Sequence, residues 1–450
     1  MPLPDLIEIV PLDKMVLAEI TVPGSKSITN RALVLAALAE GETTLKGALW
    51  SEDTQVMVEC LQELGFMVNV APDPDEDCNR TITVYGLAGK VPRGGTEAQP
   101  LELFVGNAGT AARFLTAMVC LGEGVYRLYG VPRMHERPQA ALFAALRELG
   151  YRISAKNDKL PALVHGGGPK PGATCPVSIE ESSQFASALL IGAKVGGWEV
   201  KVTGENAEES PYVTMTAELI KAFPKTGASF RIEPDASSGS YIWASNWLLN
   251  WHVPSMPSVV VVQCWPESGW QIDSRFPEFQ PLRPTVSRAR DLGDSIMMEI
   301  VLAADFDAAV TEVKLLDTKL GPELVNERPS TFRFTDLGRL RVQECERVVA
   351  LRTELTKCGA KVIETGDTLE VFPSHLHGAT IETYNDHRMA MCFAILGLKV
   401  PGIKIKNPAC VKKTFPNFFQ KLAAAPPRGL GVKILDASGR PLAHDDLFAE

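Results

Sequence analysis

The chain has 450 residues, 45% of them hydrophobic and 22% charged, with 45 basic against 54 acidic side chains for a net charge of −9. That length calls for about two or three domains with full cores, and the acidic balance argues against a general nucleic-acid or membrane binder. An anionic ligand therefore needs a local basic site.

No apolar run is long enough to span a bilayer. The start, MPLPDLIEIVPLDK, lacks the basic and apolar segments of a signal peptide. The nine cysteines are scattered, with no C-x-x-C pair. A cytoplasmic protein with reduced thiols and no zinc site is expected. His375 and His377 read as a surface pair.

In chain order, a polar stretch precedes an apolar run of helical length six times. VPGSKSITNR (22–31) leads into ALVLAALA, GNAGTAAR (106–113) into FLTAMVCLG, and ESSQFAS (181–187) into ALLIGAKVG. DASSGSY (235–241) leads into IWASNWLLN, RDLGDS (290–295) into IMMEIVLAA, and YNDHRMA (384–390) into MCFAILGLKV. A strand-like segment follows each: TTLKGAL, VYRLYG, WEVKVTG, VVVVQC, VTEVKLLD and IKIKNP. Between these units, LQELGFMVNV (61–70) and LRELGYRISA (146–155) are near copies, and IKAFPKTGASFRIE and LRTELTKCGAKVIE are looser ones. Each reads as a helix end, a cap at Gly65, Gly150, Gly227 or Gly359, and a strand. The chain is thus an α/β repeat with a unit of roughly 60 to 85 residues, longer than a solenoid period, so each unit is expected to be a small subdomain.

The polar tips carry the functional reading. Free N–H groups and the helix dipole favour an anion at a helix N-terminus. If the units pack with some symmetry, the tips share a cleft suited to a small, multiply anionic ligand. Ordinary N-caps account for the Ser, Asp and Asn. They do not account for Lys26, Arg31, Arg113, Arg388 and the run NDHRM. The first tip is not a Walker P-loop, whose glycine and lysine spacing it lacks. Elsewhere, RMHERP (133–138) sets Arg133 and Arg137 beside a Pro-marked turn. Glu344 and Arg347 fall three apart at the opening of a helix, where the plain alternative is a surface ion pair of little worth. Lys412 and Lys413 precede a Pro-started helix in KKTFPNFF.

Taken in order, PGSKSITNRALVLAALAEG, GNAGTAARFL, RMHERP, SSQFASALL, YNDHRMAMCFAI and KTFPNFF resemble the 3-phosphoshikimate 1-carboxyvinyltransferase (EPSP synthase) family of enolpyruvyl transferases, from about residue 20 to residue 420. The sister family acting on UDP-N-acetylglucosamine normally carries a reactive Cys in a loop of its own, which is not seen here. The resemblance implies a two-domain inverse α/β barrel, each domain built from three βαβαββ units, with helix N-termini facing the cleft. Residues 1–21 and 234–450 would form a discontinuous domain and residues 22–233 the other. It implies transfer of the enolpyruvyl group of phosphoenolpyruvate to the 5-hydroxyl of shikimate 3-phosphate, a step of aromatic amino acid biosynthesis. No cofactor, metal, nucleic acid or membrane partner is implied, and a cytoplasmic monomer is expected.

Residue by residue, the resemblance assigns Lys26, Ser27, Arg31, Ser182, Ser183, Gln184, Asp294 and Gln343 to shikimate 3-phosphate. It assigns Lys26, Gly109, Arg137, Gln184, Arg347, Arg388 and Lys413 to phosphoenolpyruvate. Asp294 matches the proton acceptor, Glu344 the proton donor, and Lys26 lies near the reacting phosphate.

Four departures stand out. Gln343 replaces a family lysine, so positive charge there must come from a neighbour such as Arg339 or Arg341. Glu209 occupies a usual serine position before Ser210. Residues 246–293 look unlike the family, which leaves Asp291 as a fallback for Asp294. The tail beyond the last motif reads as a small hairpin around DASGR. The alternative to an active enzyme is a catalytically impaired relative that only binds the anionic ligands.

Overall fold

The computed structural model describes residues 3–204, 210–252, 258–305 and 329–449. All six polar tips lead into helices: Lys26–Leu38, Gly109–Cys120, Gln184–Gly196, Ala236–His252, Ile296–Ala304 and His387–Leu396. These are inner helices. All twelve residues of Gly109–Cys120 and all nine of Ile296–Ala304 are buried. A helix that is apolar on every side belongs inside a protein. The Lys26, Gly109 and Gln184 helices pack on one another, as do the Ala236, Ile296 and His387 helices.

Sheets surround each trio. Leu101–Phe104 pairs parallel with Glu123–Tyr129, which runs antiparallel to Ala162–Gly167, itself antiparallel to Arg152–Ala155. Gly109–Cys120 makes the crossover that a parallel pair requires. The result is one βαβαββ unit. The pattern recurs in the sheet Thr285–Ser287, Phe332–Thr335, Thr368–Phe372 and Lys361–Thr365. Ser229–Arg231 joins Glu40–Leu49, Asn79–Leu87 and Val68–Pro72 in the same way.

The C-terminal tail completes a fourth such sheet. Its strand Ile434–Asp436 pairs with Leu6–Ile9, beside Lys404–Lys406 and Thr380–Ile381. The expected hairpin closes where Asp436 N–H donates to the Arg440 carbonyl at 2.9 Å. Among the described residues the other two sheets keep only the parallel pair, Thr174–Ser178 with Glu199–Thr203 and Leu17–Ile20 with Val259–Val262.

One hydrophobic core draws on residues 28–232, the other on residues 3–22 and 241–449. The chain passes between them twice, at one place. Ser25 N–H donates to the Glu233 carbonyl and Asp235 N–H to the Pro23 carbonyl, both at 2.8 Å. Gly24, between them, lies so close to neighbouring backbone that a Cβ would fall 1.9 Å from the Gly47 carbonyl oxygen. Across the same junction, buried Glu76 accepts from Lys421 Nζ and Asn417 Nδ2, each at 2.7 Å.

Several expectations need correction. Gly65, Gly150 and Gly359 do adopt the left-handed conformation that ends a helix (φ 91°, 91° and 93°). Gly227 does not: Pro211–Ala222 ends at Phe223 in extended backbone. Gly227 is small because a Cβ there would sit 2.4 Å from the Glu42 carbonyl oxygen. Pro416 does not start a helix, since Phe418–Ala423 begins only after Asn417, and Lys412 and Lys413 close a short turn of 3-10 helix, Pro408–Lys413. The helix expected to hold both Glu344 and Arg347 begins at Arg347. The expected strand VTEVKLLD and Glu209 lie outside the described residues. His375 and His377 are exposed, and all nine cysteines are free.

Candidate active site

Five of the six inner helices start at a common cleft of about 450 Å³. The fourth tip, DASSGSY, does not line it: Asp235 and Ser237 line a smaller cavity that shares Lys26, Ser27 and Arg388 with the cleft. Every residue assigned above to a ligand lines it: Lys26, Ser27, Arg31, Gly109, Arg137, Ser182, Ser183, Gln184, Asp294, Gln343, Glu344, Arg347, Arg388 and Lys413. Ten Lys and Arg side chains face it against five Asp and Glu, on a chain whose net charge is negative. Such a local excess concentrates and orients small anions.

The wall from the 28–232 core holds cations on neutral groups. Arg31 is buried, with Nε donating to Thr216 Oγ1 at 2.7 Å, Nη1 to the Ser27 carbonyl at 2.9 Å and Nη2 to Ser187 Oγ at 3.1 Å. Its guanidinium stacks 5.3 Å from the centre of the Phe114 ring, a cation–π contact. Among the described residues no carboxylate pairs with it, and burial pushes its pKa down to about 10. Arg113 is held alike, against Phe185, with Nη1 on Gln184 Oε1 and Nη2 on the Pro138 carbonyl. Burial, with Arg137 nearby, lowers its pKa to about 9. Gln184 Nε2 in turn donates to Thr110 Oγ1 at 3.0 Å, so the second and third tips are tied together. Gly109 leaves the space that Arg137 fills: a Cβ would lie 2.6 Å from its Nη2. In this wall Lys26 meets a carboxylate, Asp53, at 3.2 Å.

The opposite wall is a charge-balanced network around Arg347, which is about 1% exposed. Its Nε donates to Asp386 Oδ2 at 2.7 Å, Nη1 to Asp294 Oδ2 at 3.1 Å and Nη2 to Glu344 Oε2 at 2.8 Å. The Glu344–Arg347 pair is thus no surface ion pair. Its buried setting makes it far more costly to break. Glu344 Oε1 also meets Lys413 Nζ at 2.8 Å. Asp294 further meets Arg288 at 2.6 Å and Arg388 at 3.3 Å.

Burial would raise the Asp294 pKa, but Arg388, Arg288 and Arg347 hold it far below the usual carboxylate range. Glu344 is likewise held well below its ordinary value against burial, by Lys413, Arg347, His387 and Lys26. His387 is buried and its pKa is lowered well below the usual value, so the ring is neutral. Asp294 and Glu344 therefore flank one guanidinium, both ionised. In this state both can accept a proton from a small substrate between them, and either can donate one only after taking it up.

Asp291, the fallback, instead accepts from Ser287 N–H at 2.8 Å. Asp294 owes its position to Asp273, whose Oδ1 accepts from Gly293 N–H at 2.7 Å and Ser295 Oγ at 2.6 Å. Burial raises the Asp273 pKa, against the hydrogen bonds from Ser237 and Ser295. No motif flagged Asp273, which sits in the stretch that looked unfamiliar. Asp386 was visible inside NDHRM without a role, and Arg288 gave no signal. Of the two arginines expected to compensate for Gln343, Arg339 lines the cleft. Arg341 is turned away, paired with Asp367, Glu346 and Glu364. Among the described residues no His, Cys, Asp and Glu cluster suits a metal ion, and no helix is long and apolar enough to cross a membrane.

Comparison with known proteins gives a consistent picture. A sequence model of the family described as "EPSP synthase (3-phosphoshikimate 1-carboxyvinyltransferase)" matches residues 12–237 and 323–422. The unmatched part, which includes Asp294, contains the unfamiliar stretch 246–293. A 3-phosphoshikimate 1-carboxyvinyltransferase from Opitutus terrae is 37% identical, over 94% of this chain and 98% of that protein. One from Trichormus variabilis is 35% identical, over 93% and 98%. Among solved structures, EPSP synthase from Acinetobacter baumannii superposes with a TM-score of 0.65 at 18% identity, covering 96% of this chain and 100% of that one. The enolpyruvyl transferase NikO from Streptomyces tendae gives 0.64 at 15% identity, covering 98% and 99%. The fold is that of the two-domain enolpyruvyl transferases, and the chain belongs to the EPSP synthase family.

Proposed function

We infer that the protein transfers the enolpyruvyl group of phosphoenolpyruvate to the 5-hydroxyl of shikimate 3-phosphate, releasing phosphate. One observation carries the reading: two ionised carboxylates, Asp294 and Glu344, share one guanidinium inside a strongly cationic cleft. The chemistry adds the hydroxyl to C2 of phosphoenolpyruvate as C3 is protonated. The tetrahedral intermediate then loses phosphate and a proton. Two phosphates and two carboxylates must be neutralised, which suits the cationic excess.

In this reading Lys26, Ser27, Arg31, Ser182, Ser183, Gln184 and Gln343 hold the acceptor, and Gly109, Arg137, Gln184, Arg347, Arg388 and Lys413 hold phosphoenolpyruvate, with Lys26 touching both. Asp294 takes the hydroxyl proton and Glu344 serves C3. Clamped by arginines, Asp294 is a weak base. An incoming substrate carboxylate that draws off Arg388 raises its basicity. A substrate phosphate that draws off Lys413 lets Glu344 carry a proton in the same way. Substrate binding thus arms both groups. We further infer that residues 1–21 and 234–450 form one domain and 22–233 the other, and that the protein acts as a cytoplasmic monomer. The division between two cores and the paired crossings support the domain boundaries.

The test is phosphate release from phosphoenolpyruvate by the pure protein, with and without shikimate 3-phosphate. Release is expected only when both are present. No release with both substrates would leave an impaired relative that binds anions.

A further inference from the structure

Arg288 and Arg339 line the cleft but belong to none of the matching motifs. Arg288 follows the strand Thr285–Ser287 and donates its backbone N–H to the Thr335 carbonyl at 3.0 Å. Its Nη2 donates to Asp294 Oδ1 at 2.6 Å, and its buried Nε has no hydrogen-bond partner among the described residues. Arg339 lies in the turn Leu337–Val342, whose Leu337 and Leu340 are packed in the same core as the Asp294 helix. Its guanidinium nevertheless reaches the opposite wall and donates to the Ile179 carbonyl.

Ile179 stands three residues before Ser182 and belongs to the 28–232 core. The head of Arg339 therefore lies against the segment that carries Ser182, Ser183 and Gln184. The nearby Asp336 carboxylate already accepts from Ser287 and Thr335 hydroxyls. Gln343, four residues on, carries no charge. A guanidinium anchored by one neutral carbonyl keeps its full charge and most of its five N–H donors for a ligand. Burial, with Arg288 next to it, depresses the Arg339 pKa.

We propose that Arg339 is a substrate-binding residue that clamps the phosphate of the acceptor against the Ser182–Gln184 tip from the opposite wall, while Arg288 positions Asp294 beside it. The cation that position 343 lacks is thereby supplied one turn earlier. This rests on shikimate 3-phosphate being the acceptor.

Calorimetric titration of the full-length protein tests it, with shikimate 3-phosphate and with shikimate, which lacks the phosphate. Arg339→Gln is expected to weaken shikimate 3-phosphate by about 10- to 100-fold, the loss of a hydrogen bond to a charged group, and to leave shikimate binding nearly unchanged. Arg339→Lys, and the double variant Arg339→Gln with Gln343→Lys, should each recover part of the loss. An equal loss for both ligands, no loss, or no recovery with either lysine overturns the proposal.

Should Arg339→Gln not fold, Arg339→Lys decides by its kinetics. A raised KM for shikimate 3-phosphate alone supports the clamp, and equal changes for both substrates refute it. Should the wild type fail to use shikimate 3-phosphate, thermal stabilisation by inorganic phosphate separates the two readings. Weaker stabilisation in Arg339→Gln keeps the phosphate clamp even then, and equal stabilisation removes it.

Discussion

The two walls of the cleft bury arginines in opposite ways. In the wall built on residues 28–232, Arg31 and Arg113 rest on hydroxyls, carbonyls and aromatic faces, and their pKa values fall. In the other wall, Arg347 and Arg388 sit among carboxylates, and against the effect of burial their pKa values rise. A buried cation without a counter-ion is costly unless an anion arrives. A cation inside a balanced network is stable alone and redistributes when an anion arrives. In the proposed reaction the first wall is therefore a receptor for charge, and the second a device for placing protons.

The largest expected effect breaks the second wall at Glu344, the proton donor of the proposed reaction. Glu344→Gln keeps the size of the side chain and its contact with Lys413 but removes the titrating group. Turnover should fall by about 10²- to 10⁴-fold, the usual contribution of a positioned acid or base, with the fold intact by circular dichroism. A rate within a few-fold of wild type would take Glu344 out of the chemistry.

Next comes a matched pair of substitutions. Arg347→Met leaves Asp294, Asp386 and Glu344 facing one another without their shared cation, and should cost about 3–5 kcal/mol of stability. Arg31→Met leaves neutral partners only: Thr216 and Ser187, which already lie 2.8 Å apart and hydrogen-bond each other, and the Ser27 and Tyr212 carbonyls. It should cost less than about 1.5 kcal/mol while abolishing tight binding of shikimate 3-phosphate. Denaturant melts of the two variants give the comparison directly. Equal losses of stability would mean that the walls do not differ as described.

These predictions show what the sequence alone could and could not reveal. The six inner helices were legible because each couples a polar tip to an apolar run, and burial of that run forces the tip to the surface of the core. The cleft was legible because lysines and arginines at those tips have no capping purpose. What stayed hidden was pairing over long distance. Nothing near Asp294 in sequence announces Asp273, 21 positions earlier, or Arg347, 53 positions later. Gly227 misled because its sequence context copies that of true caps, whereas its cause is a close approach to strand backbone. Arg339 and Arg341, two residues apart, looked equivalent, and only the turn geometry sends one into the cleft and the other to Asp367 and Glu364.

A smaller change sharpens the receptor wall. Gly109→Ala places a Cβ at 2.6–2.8 Å from the Arg137 guanidinium, closer than packing permits. The flexible end of Arg137 yields before the helix does. The KM for phosphoenolpyruvate should rise about tenfold, the worth of one charged hydrogen bond, with the affinity for shikimate 3-phosphate unchanged. A KM change confined to the acceptor would put Arg137 on the wrong substrate.

The smallest effect concerns how the balanced wall meets acid. His387 begins its helix, is about 2% exposed, and faces Glu344, Lys26, Arg388 and Arg347. Burial first, then the three cations, keep it neutral in the folded protein in spite of Glu344. Its folded pKa lies below its unfolded value, so as pH falls the unfolded chain takes up a proton that the folded one refuses. Stability should therefore decline below about pH 6.5 by up to about 1.4 kcal/mol per pH unit from this residue alone. Asp294 and Glu344, also depressed, follow the same sign in a lower window. Their stabilisation is complete above the unfolded carboxylate values near about pH 4 and is lost as pH falls below them. His387→Gln removes only the first decline. Urea melts at pH 7 and pH 5.5 should show a clear loss in wild type and a smaller one in the variant. Identical losses in the two proteins would mean that His387 is protonated in the folded state, and that the network is less balanced than its geometry indicates.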